Sequence, residues 1–466
     1  MSSDITLAAL RDELSAIVDG AGLTSDPQML EMYATDETGE FHCPPDLAVK
    51  PQTPDQVAAI LQACNRAKVP VVPRGGGSGV SGGALPVRGG VVLCLEKMNR
   101  ILAIDKRNMT VTVETGAITG ELQEALLKEG LCLPPDPGSK SWCQVGGNLA
   151  EAAAGPKSVK YGAFRDYVLN LEVVLPNGEI IWTGANVRKY ACGYNLTQLM
   201  LGSEGTLGVI TKAVFRLIAA PTEELVLRLA FPTLESAAEM VCRLFEDGLV
   251  PSEVELLERD GIQRAARVCD EVIDAKVAAL LWVGFDGHNA EKLLDDATRA
   301  ATLAEELGVE DAMIAEDAAQ VKRLWTYRHK IGEAVIETTS FRDVDISFPR
   351  GALAQIITGV KRIGTEYGFN SVCFGHVGDG NMHVQILRED LDEAAWNGPV
   401  RQGIGDIYTL AISQGGALSG EHGIGLILPE HMDKMFPPAH MALLRAIKDS
   451  FDPNGILNPG KMFPTP

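Results

Sequence analysis

The sequence predicts an α+β fold with at least two domains, and three observations support this prediction. The chain has 466 residues, more than a single hydrophobic core usually holds. Short strand patterns alternate with amphipathic helix patterns along its length. From Glu223 the pattern changes to strand, helix, strand units, such as LVLRLAF followed by LESAAEMVCRLFEDG. We therefore expect a second α+β domain to begin near this point.

The elements of the first part follow from periodicity and turn residues. A helix is expected at 54–68, because its apolar residues recur at helical spacing and Thr53 is suited to cap its first turn. A Pro-Asn-Gly sequence at 176–178 is typical of a turn between two strands. A further helix is expected at 119–129, and strands are expected at 69–72, 91–96, 101–105, 109–114, 167–175, 180–183 and 209–217.

The composition excludes several classes of protein. A net charge of −21 disfavours binding to nucleic acid or to anionic lipid, since both reward clustered Lys and Arg. The longest apolar runs, such as VAALLWVGF from Val277, are too short to cross a bilayer, and residues 1–19 lack the apolar core of a signal peptide. We expect a cytoplasmic protein. Nine cysteines without a C-x-x-C pair indicate free buried thiols, not a disulfide scaffold or an iron–sulfur cluster.

A glycine run between two apolar strand patterns is the first candidate site. Six of the nine residues from Gly75 to Gly83 are glycine, and Gly77, Gly79 and Gly82 match the G-x-G-x-x-G pattern. A nicotinamide site needs a helix at the third glycine, whereas the following ALPVRGGVVLCLEKMN predicts a loop and a strand. A flexible surface loop is a second alternative. We favour a nest of main-chain N–H groups that binds a phosphate.

Two further glycine clusters, at 134–155 and 201–211, follow in the chain. With the first they resemble the FAD-binding type 4 oxidoreductases of the vanillyl-alcohol oxidase fold, which carry P-x-G-G-G-x-G-x-x-G-G, then G-G-N, then G-S-E-G-T-L-G. The resemblance covers nearly the whole chain. It implies a PCMH-type FAD-binding domain of two subdomains at 1–218, an α+β substrate (cap) domain with a metal site at 219–430, and a C-terminal segment at 431–466 that packs on the FAD domain.

The same resemblance implies which residues bind the cofactor. The first cluster would wrap the FAD pyrophosphate, and the later clusters would line the ribityl chain and the flavin ring. One departure is Pro156, where relatives often have a glycine. No histidine lies between His42 and His288, which excludes a histidyl linkage in these loops, and we expect dissociable FAD. The implied residues are Arg74, Gly75, Gly76, Gly77, Ser78, Gly79, Gly82, Gly83, Gly146, Gly147, Asn148, Gly155, Gly162, Gly205, Val209 and Asn458.

The segment SVCFGHVGDGNMHVQIL at 371–387 predicts a β-hairpin. Asp379-Gly380 is a strong two-residue turn signal, and a two-residue loop would place His376 directly opposite His383. Opposed residues of a hairpin have Cβ atoms about 5 Å apart, so two imidazoles there can converge on one metal ion. The alternative is a half-exposed hairpin whose histidines bind nothing. The segment SGEHGIG adds Glu421 and His422, and two His with one carboxylate suit Zn, Mn or Fe.

These motifs resemble G-H-x-G-D-G-N-x-H and G-E-H-G of the 2-hydroxyacid branch of the family. The resemblance assigns His376, His383 and Glu421 to the metal, Asn381 to substrate contact and His422 to the catalytic base. The chemistry is consistent with these roles. A metal lowers the pKa of a substrate hydroxyl, and a histidine can accept its proton while a hydride leaves for flavin N5.

Arg328 in LWTYRHK is the candidate for the substrate carboxylate, because it matches a family L-W-x-x-R motif; an ordinary helix-surface arginine is the alternative. Members that oxidise 2-hydroxyglutarate have a Thr four residues later and a Lys just before D-x-S-x-P. These positions are Gly332 and Asp343 here. A second substrate carboxylate would meet an acid, which favours D-lactate or glycolate unless Arg342 or Lys330 turns inward.

The chain has no motif for a second redox group, so reduced flavin requires an external electron acceptor. An electron-transfer flavoprotein, an iron–sulfur subunit and a quinone all remain open, as does the oligomeric state, including a homodimer. Three other functions also stay open: a nicotinamide dehydrogenase, a D-2-hydroxyglutarate dehydrogenase of the same family, and a non-catalytic flavoprotein subunit that only transfers electrons.

Overall fold

The computed structural model describes residues 2–20, 22–269, 273–315 and 317–464. The helices are α1 (Ser2–Ile17), α2 (Pro27–Leu30), α3 (Pro54–Ala67), α4 (Thr119–Leu127), α5 (Val145–Glu151), α6 (Ser158–Tyr161), α7 (Leu196–Met200), α8 (Leu234–Glu246), α9 (Arg259–Val268), α10 (Ala290–Glu306), α11 (Ala318–Ile336), α12 (Leu353–Tyr367), α13 (Glu393–Asn397), α14 (Pro399–Ser413), α15 (Met432–Met435) and α16 (Pro438–Phe451). The strands are β1 (Leu23–Thr24), β2 (Leu47–Val49), β3 (Val71–Arg74), β4 (Val91–Cys94), β5 (Ile101–Asp105), β6 (Thr110–Glu114), β7 (Leu131–Cys132), β8 (Val168–Val174), β9 (Ile180–Trp182), β10 (Val209–Arg216), β11 (Ile218–Ala219), β12 (Glu223–Phe231), β13 (Glu253–Glu258), β14 (Ala279–Gly287), β15 (Asp311–Ala315), β16 (Phe341–Ser347), β17 (Asn370–His376) and β18 (Asn381–Leu387).

The chain divides into two compact units. Unit 1 contains residues 1–154, 163–220 and 421–466, and unit 2 contains residues 155–162 and 221–420. The chain therefore enters unit 2 twice, once through a short excursion of eight residues. The functional domain limits expected at 218 and 430 remain predictions.

Unit 1 contains a four-stranded sheet of order β1-β2-β4-β3 and a five-stranded sheet of order β5-β6-β10-β8-β9, together with the pair β11-β7. Helix α3 packs its apolar face on the first sheet through fully buried residues such as Ile60 and Leu61. The Thr53 side chain accepts a hydrogen bond from the Gln56 N–H at 3.2 Å, which confirms the predicted cap.

The glycine run begins the connection, residues 75–90, from β3 to β4, and these two strands pair in parallel. No helix begins within this connection, whose residues are all described, and the nicotinamide interpretation therefore lacks its structural context. Gly82 has φ +80°, and a Cβ there would lie 2.7 Å from Leu426 Cδ1. The glycine is needed both for backbone conformation and for close approach.

Unit 2 contains an antiparallel seven-stranded sheet of order β15-β12-β14-β13-β17-β18-β16. Trp282 at its centre is fully buried, and its ring stacks on that of Tyr327 from helix α11 with centroids 6.2 Å apart. This contact helps to fix α11 on the sheet.

The predicted hairpin exists, but its predicted register is wrong by two residues. Phe374 lies opposite His383, and residues 377–380 form a four-residue turn between β17 and β18. Gly380 has φ +86°, whereas Asp379 is not among the residues with positive φ, so the two-residue turn that needs positive φ at both positions is not made. A shift of two residues preserves the face on which each side chain lies, and His376 and His383 still share one face.

No helix in the described ranges is long and apolar enough to span a membrane. All nine cysteines lie within these ranges and form no disulfide, but the prediction of buried thiols holds only for Cys64, Cys94, Cys143 and Cys373; four others are partly buried and Cys192 is exposed. Burial raises the pKa of the Cys64 and Cys373 thiols to about 12, which makes them poor nucleophiles.

Candidate functional site

One face of the seven-stranded sheet carries a cluster of polar side chains. Directly opposed residues on neighbouring strands point to the same side, and residues two apart on one strand do so as well. The registers of four neighbouring strands therefore bring together Glu255 on β13, His376 on β17, Asn381, His383 and Gln385 on β18, and Asp343 and Asp345 on β16.

The two predicted metal-binding histidines of this hairpin are neighbours. Their ring centroids lie 5.4 Å apart, with the ring planes at 90°. The side chain of His376 is 12% exposed and that of His383 is 10% exposed. Because the imidazoles converge in a partly shielded place, the donor set fits a divalent transition metal.

Glu255 is a site residue that nothing in the sequence marks. It is 1% exposed and lies directly opposite His376, whose Nδ1 is 2.5 Å from Glu255 Oε1. Its Oε2 accepts a hydrogen bond from Arg328 Nη2 at 2.6 Å. Burial by itself would raise the pKa of this carboxyl, but the positive charges of His376 and Arg328 outweigh it and lower the pKa to about 2. Glu255 is therefore a buried anion.

Arg328 lies in helix α11 and is 6% exposed, so the helix-surface alternative is wrong. Its guanidinium sits 4.9 Å from the centroid of the Phe374 ring. Its Nε is buried and has no hydrogen-bond partner among the described residues. A buried donor without a partner fits a site that binds an anion.

Asp345 ties two segments of the site together. Its Oδ1 accepts from Asn381 Nδ2 at 2.6 Å, and its Oδ2 accepts from Ser419 Oγ at 2.9 Å and from the Gly420 N–H at 2.8 Å. Gly420 ends unit 2, and Glu421 is the next residue in the chain. Within the described residues, the buried Oδ1 of Asn381 has no hydrogen-bond partner, and neither does Oε1 of Gln385.

Asp343 lies on the same face, with Oδ2 4.0 Å from His383 Nδ1. The neighbouring Arg342 points to the opposite face, where it donates to the Trp396 carbonyl at 2.6 Å and lies 4.4 Å from the centroid of that ring. Arg342 is therefore engaged away from Asp343. Lys330 and Gly332 both lie in α11, and the surroundings of Gly332 fall outside the described side chains.

In unit 1 the three glycine clusters meet. A Cβ on Gly75 would lie 3.7 Å from the Gly147 nitrogen, and one on Gly205 would lie 3.3 Å from Pro73 Cγ. Asn458 links the clusters, because its Nδ2 donates to the Gly83 carbonyl at 3.0 Å and to the Glu204 carbonyl at 2.7 Å.

Two expected cofactor residues, one at the end of β3 and one in α5, make hydrogen bonds within unit 1. Arg74 is 8% exposed and donates to the Thr35 carbonyl at 3.0 Å and to the Ala84 carbonyl at 3.3 Å. Asn148 is buried and donates to Thr119 Oγ1 at 2.5 Å. Arg74 therefore braces nearby main chain, and Asn148 links helix α5 to the first residue of helix α4.

Not all of the expected cofactor residues lie in unit 1. Gly155 and Gly162 belong to the short excursion into unit 2. The excursion is held there by Lys160, which donates to Asp286 Oδ1 at 2.5 Å, and by Tyr161, which donates to the same oxygen at 2.6 Å.

The walls of the glycine run carry polar atoms that fit a cofactor with phosphates and ribityl hydroxyls. Ser81 Oγ, Gln144 Oε1 and Glu151 Oε2 are buried without a hydrogen-bond partner among the described residues. A Cβ on Gly75 would be 3.5 Å from Gln144 Oε1, and one on Gly83 would be 3.4 Å from Ser81 Oγ. Orphaned polar atoms of this kind need a ligand or water.

A charged cluster lies beside this run and was not expected from the sequence. Glu204 accepts from the N–H groups of Ile424 and Gly425 at 2.7 and 2.8 Å. Burial raises the pKa of Glu204, and burial together with the charge of Glu204 raises that of Glu151. Burial also lowers the pKa of Lys461 to about 7, and its Nζ donates to the Gly83 carbonyl at 2.8 Å.

Glu421 and His422 open the last segment of unit 1. His422 Nε2 is 3.8 Å from Glu421 Oε1, and both side chains are partly buried. The carboxylate and the imidazole are thus neighbours in space as well as in sequence.

Two family models match the chain. One is described as "FAD binding domain" and matches residues 45–184, and the other, "FAD linked oxidases, C-terminal domain", matches residues 220–462. A D-lactate dehydrogenase from Anaerostipes hadrus is 36% identical over 90% of this chain and 89% of its own length. A glycolate oxidase subunit GlcD from Bacillus subtilis is 33% identical over 93% of this chain and 92% of its own length.

A solved structure of p-cresol methylhydroxylase with substrate bound has a TM-score of 0.80 at 20% identity, and the match covers 98% of this chain and 96% of that one. This similarity concerns the fold and confirms the α+β, PCMH-type prediction. With its two family models and its relatives aligned over most of their length, the chain belongs to the family of FAD-linked oxidases.

Proposed function

We propose that this protein is an FAD-dependent dehydrogenase that oxidises a small D-2-hydroxy acid, D-lactate or glycolate, to the 2-oxo acid. The observation that carries the proposal is that buried Glu255 binds both His376 and Arg328, while the ring of His383 lies beside that of His376. The names of the two relatives, a D-lactate dehydrogenase and a glycolate oxidase subunit, support the substrate class.

In this proposal each side chain has one task. When bound, FAD supplies the hydride acceptor, and a divalent metal held by His376, His383 and Glu421 lowers the pKa of the substrate hydroxyl. Arg328 binds the substrate carboxylate through donors that Glu255 leaves free. Asn381 contacts the substrate through its unpartnered Oδ1, and His422 accepts the hydroxyl proton on a ring nitrogen.

The glycine clusters of unit 1 and the excursion with Gly155 and Gly162 would hold the FAD. Electrons would leave the reduced flavin to an external acceptor, either an electron-transfer flavoprotein, an iron–sulfur subunit or a quinone. The convergence of two imidazoles, an arginine and a carboxylate favours a catalytic protein over a subunit that only transfers electrons, which has no use for such a cluster.

The reaction is tested by spectroscopy of the purified protein. Anaerobic addition of D-lactate or glycolate should bleach the visible flavin bands, because hydride transfer reduces the flavin, whereas L-lactate should leave them unchanged. A flavin that dithionite reduces, but that neither acid bleaches, would contradict the proposed reaction.

The cofactor is expected to be bound without a covalent link. Precipitation with acid should release the yellow flavin into the supernatant, since no histidine lies in the flavin-binding loops to anchor it. Chromatography of the supernatant against FAD and FMN standards identifies the flavin. Yellow colour that stays with the pellet would refute a dissociable cofactor.

The preference for a small monocarboxylic substrate over a diacid is expected to depend on Asp343. D-lactate or glycolate should have the larger kcat/KM, and Asp343→Lys should shift the preference toward D-2-hydroxyglutarate by roughly tenfold to a hundredfold, because a charge-assisted contact replaces a repulsion. Asp343→Asn is the matched control, since it removes the acid and any influence on His383 without adding a cation. A wild-type preference for D-2-hydroxyglutarate in direct competition would identify the protein as a dehydrogenase of that diacid instead.

A further inference from the structure

Glu255 binds both a proposed metal ligand, His376, and the proposed substrate arginine, Arg328. Among the described residues of the polar face, no other carboxylate does so. One oxygen, Oε1, lies 2.5 Å from His376 Nδ1, and the other, Oε2, accepts from Arg328 Nη2 at 2.6 Å. The strand register places Glu255 directly opposite His376, so this contact follows from the sheet itself. At 1% exposure, the carboxylate has little access to water.

The contact with His376 has a chemical consequence for the ring. A buried carboxylate accepts hydrogen bonds and cannot donate one when ionised, so it holds the imidazole proton on Nδ1. The lone pair of the neutral ring is then on Nε2, so Nε2 is the nitrogen that would bind a metal. Carboxylates that orient metal-binding histidines in this way tune both ring orientation and basicity.

The contact with Arg328 has a parallel consequence. Glu255 occupies Nη2, and the Phe374 ring lies 4.9 Å from the guanidinium, so the plane of the guanidinium is held from two sides. The buried Nε of Arg328 keeps no partner within the described part of the chain and remains available to an anion.

We propose that Glu255 is a positioning residue that presents Nε2 of His376 to a metal and the Nε of Arg328 to a substrate carboxylate. The inference rests on the proposed function, and it extends that function to a residue that touches neither ligand. A single carboxylate would then align both halves of the substrate site, the part that binds the hydroxyl and the part that binds the carboxylate.

The first test measures metal affinity of the full-length flavoprotein after metal removal, with Zn²⁺ in competition with a chromophoric chelator. Glu255→Gln keeps the size of the side chain but replaces one of its two accepting oxygens with an NH2 donor, so one of the two partners loses its acceptor. We expect the Kd for Zn²⁺ to rise about tenfold to a hundredfold.

Glu258→Gln is the matched control, because Glu258 is a second buried glutamate on the same strand with its own ion pair to Lys361, at 2.8 Å. It should destabilise the fold in a similar way and leave the Kd for Zn²⁺ within about threefold of wild type, since its carboxylate does not bind His376. If the Kd for Zn²⁺ in Glu255→Gln equals that of wild type, the inference is wrong.

The second test needs no metal and separates this inference from the proposed function. In metal-free protein labelled with ¹⁵N-histidine, the His376 ring should carry its proton on Nδ1 at a pH where the ring is neutral, and Glu255→Gln should shift it toward Nε2. The His376→Asn variant assigns the resonance. If wild type binds Zn²⁺ no more tightly than His383→Ala, the proposed metal site is wrong. If His376 in wild type carries its proton on Nε2, the proposed role of Glu255 is wrong.

Discussion

We expect the His383→Ala variant to turn over D-lactate at least about 10³-fold more slowly than wild type while it retains its flavin. A metal stabilises the developing charge on the substrate oxygen by several kcal/mol, and about 4 kcal/mol corresponds to this factor in rate. Removing one of two converging imidazoles leaves too few ligands to hold the ion. Steady-state kinetics, with flavin content from the absorption spectrum, measure the effect.

Chelation should reproduce this loss without a mutation. EDTA treatment followed by gel filtration should abolish turnover, and a divalent metal should restore it to wild type but not to His383→Ala. His440→Ala is the control variant, because this histidine is exposed and stacks on Phe436 in unit 1. Full activity in a preparation shown by elemental analysis to contain no metal would exclude metal-assisted catalysis.

His422→Ala should slow anaerobic reduction of the flavin by D-lactate by about 10² to 10⁴-fold, which is the usual contribution of a general base. The bound metal and the FAD should both remain, because His422 is not among the residues proposed to hold them. Rapid mixing isolates this half-reaction from reoxidation by the acceptor.

Added imidazole should restore part of the lost rate to His422→Ala, since a small base can enter the space that the side chain leaves. The same addition should not restore His383→Ala, in which the metal is missing. A reduction rate in His422→Ala within about threefold of wild type would assign the proton to another group.

The sequence by itself determined the fold class and the family, and it predicted where both sites lie. A dense glycine run between two apolar strands favours a phosphate-binding loop over a helix, and the structure joins the parallel strands β3 and β4 through a helix-free connection, residues 75–90, that begins with this run. The spacing of Asp379-Gly380 between apolar segments was likewise sufficient to predict the β17–β18 hairpin. These are local signals, because a turn or a nest is formed by residues that are neighbours in the chain.

Side-chain partners required the tertiary structure. The hairpin register depends on the φ angle that each turn residue adopts, and a four-residue turn moved His383 from His376 to Phe374 without changing its face. Nothing in EVELLE distinguishes Glu255 from an ordinary strand acid, because its two partners lie 73 and 121 residues away. Periodicity indicates which face of the sheet a residue occupies, but only the pairing of distant strands decides which charged side chains become neighbours. Burial then strengthens the electrostatic interactions between those side chains, because the surroundings have a low dielectric constant.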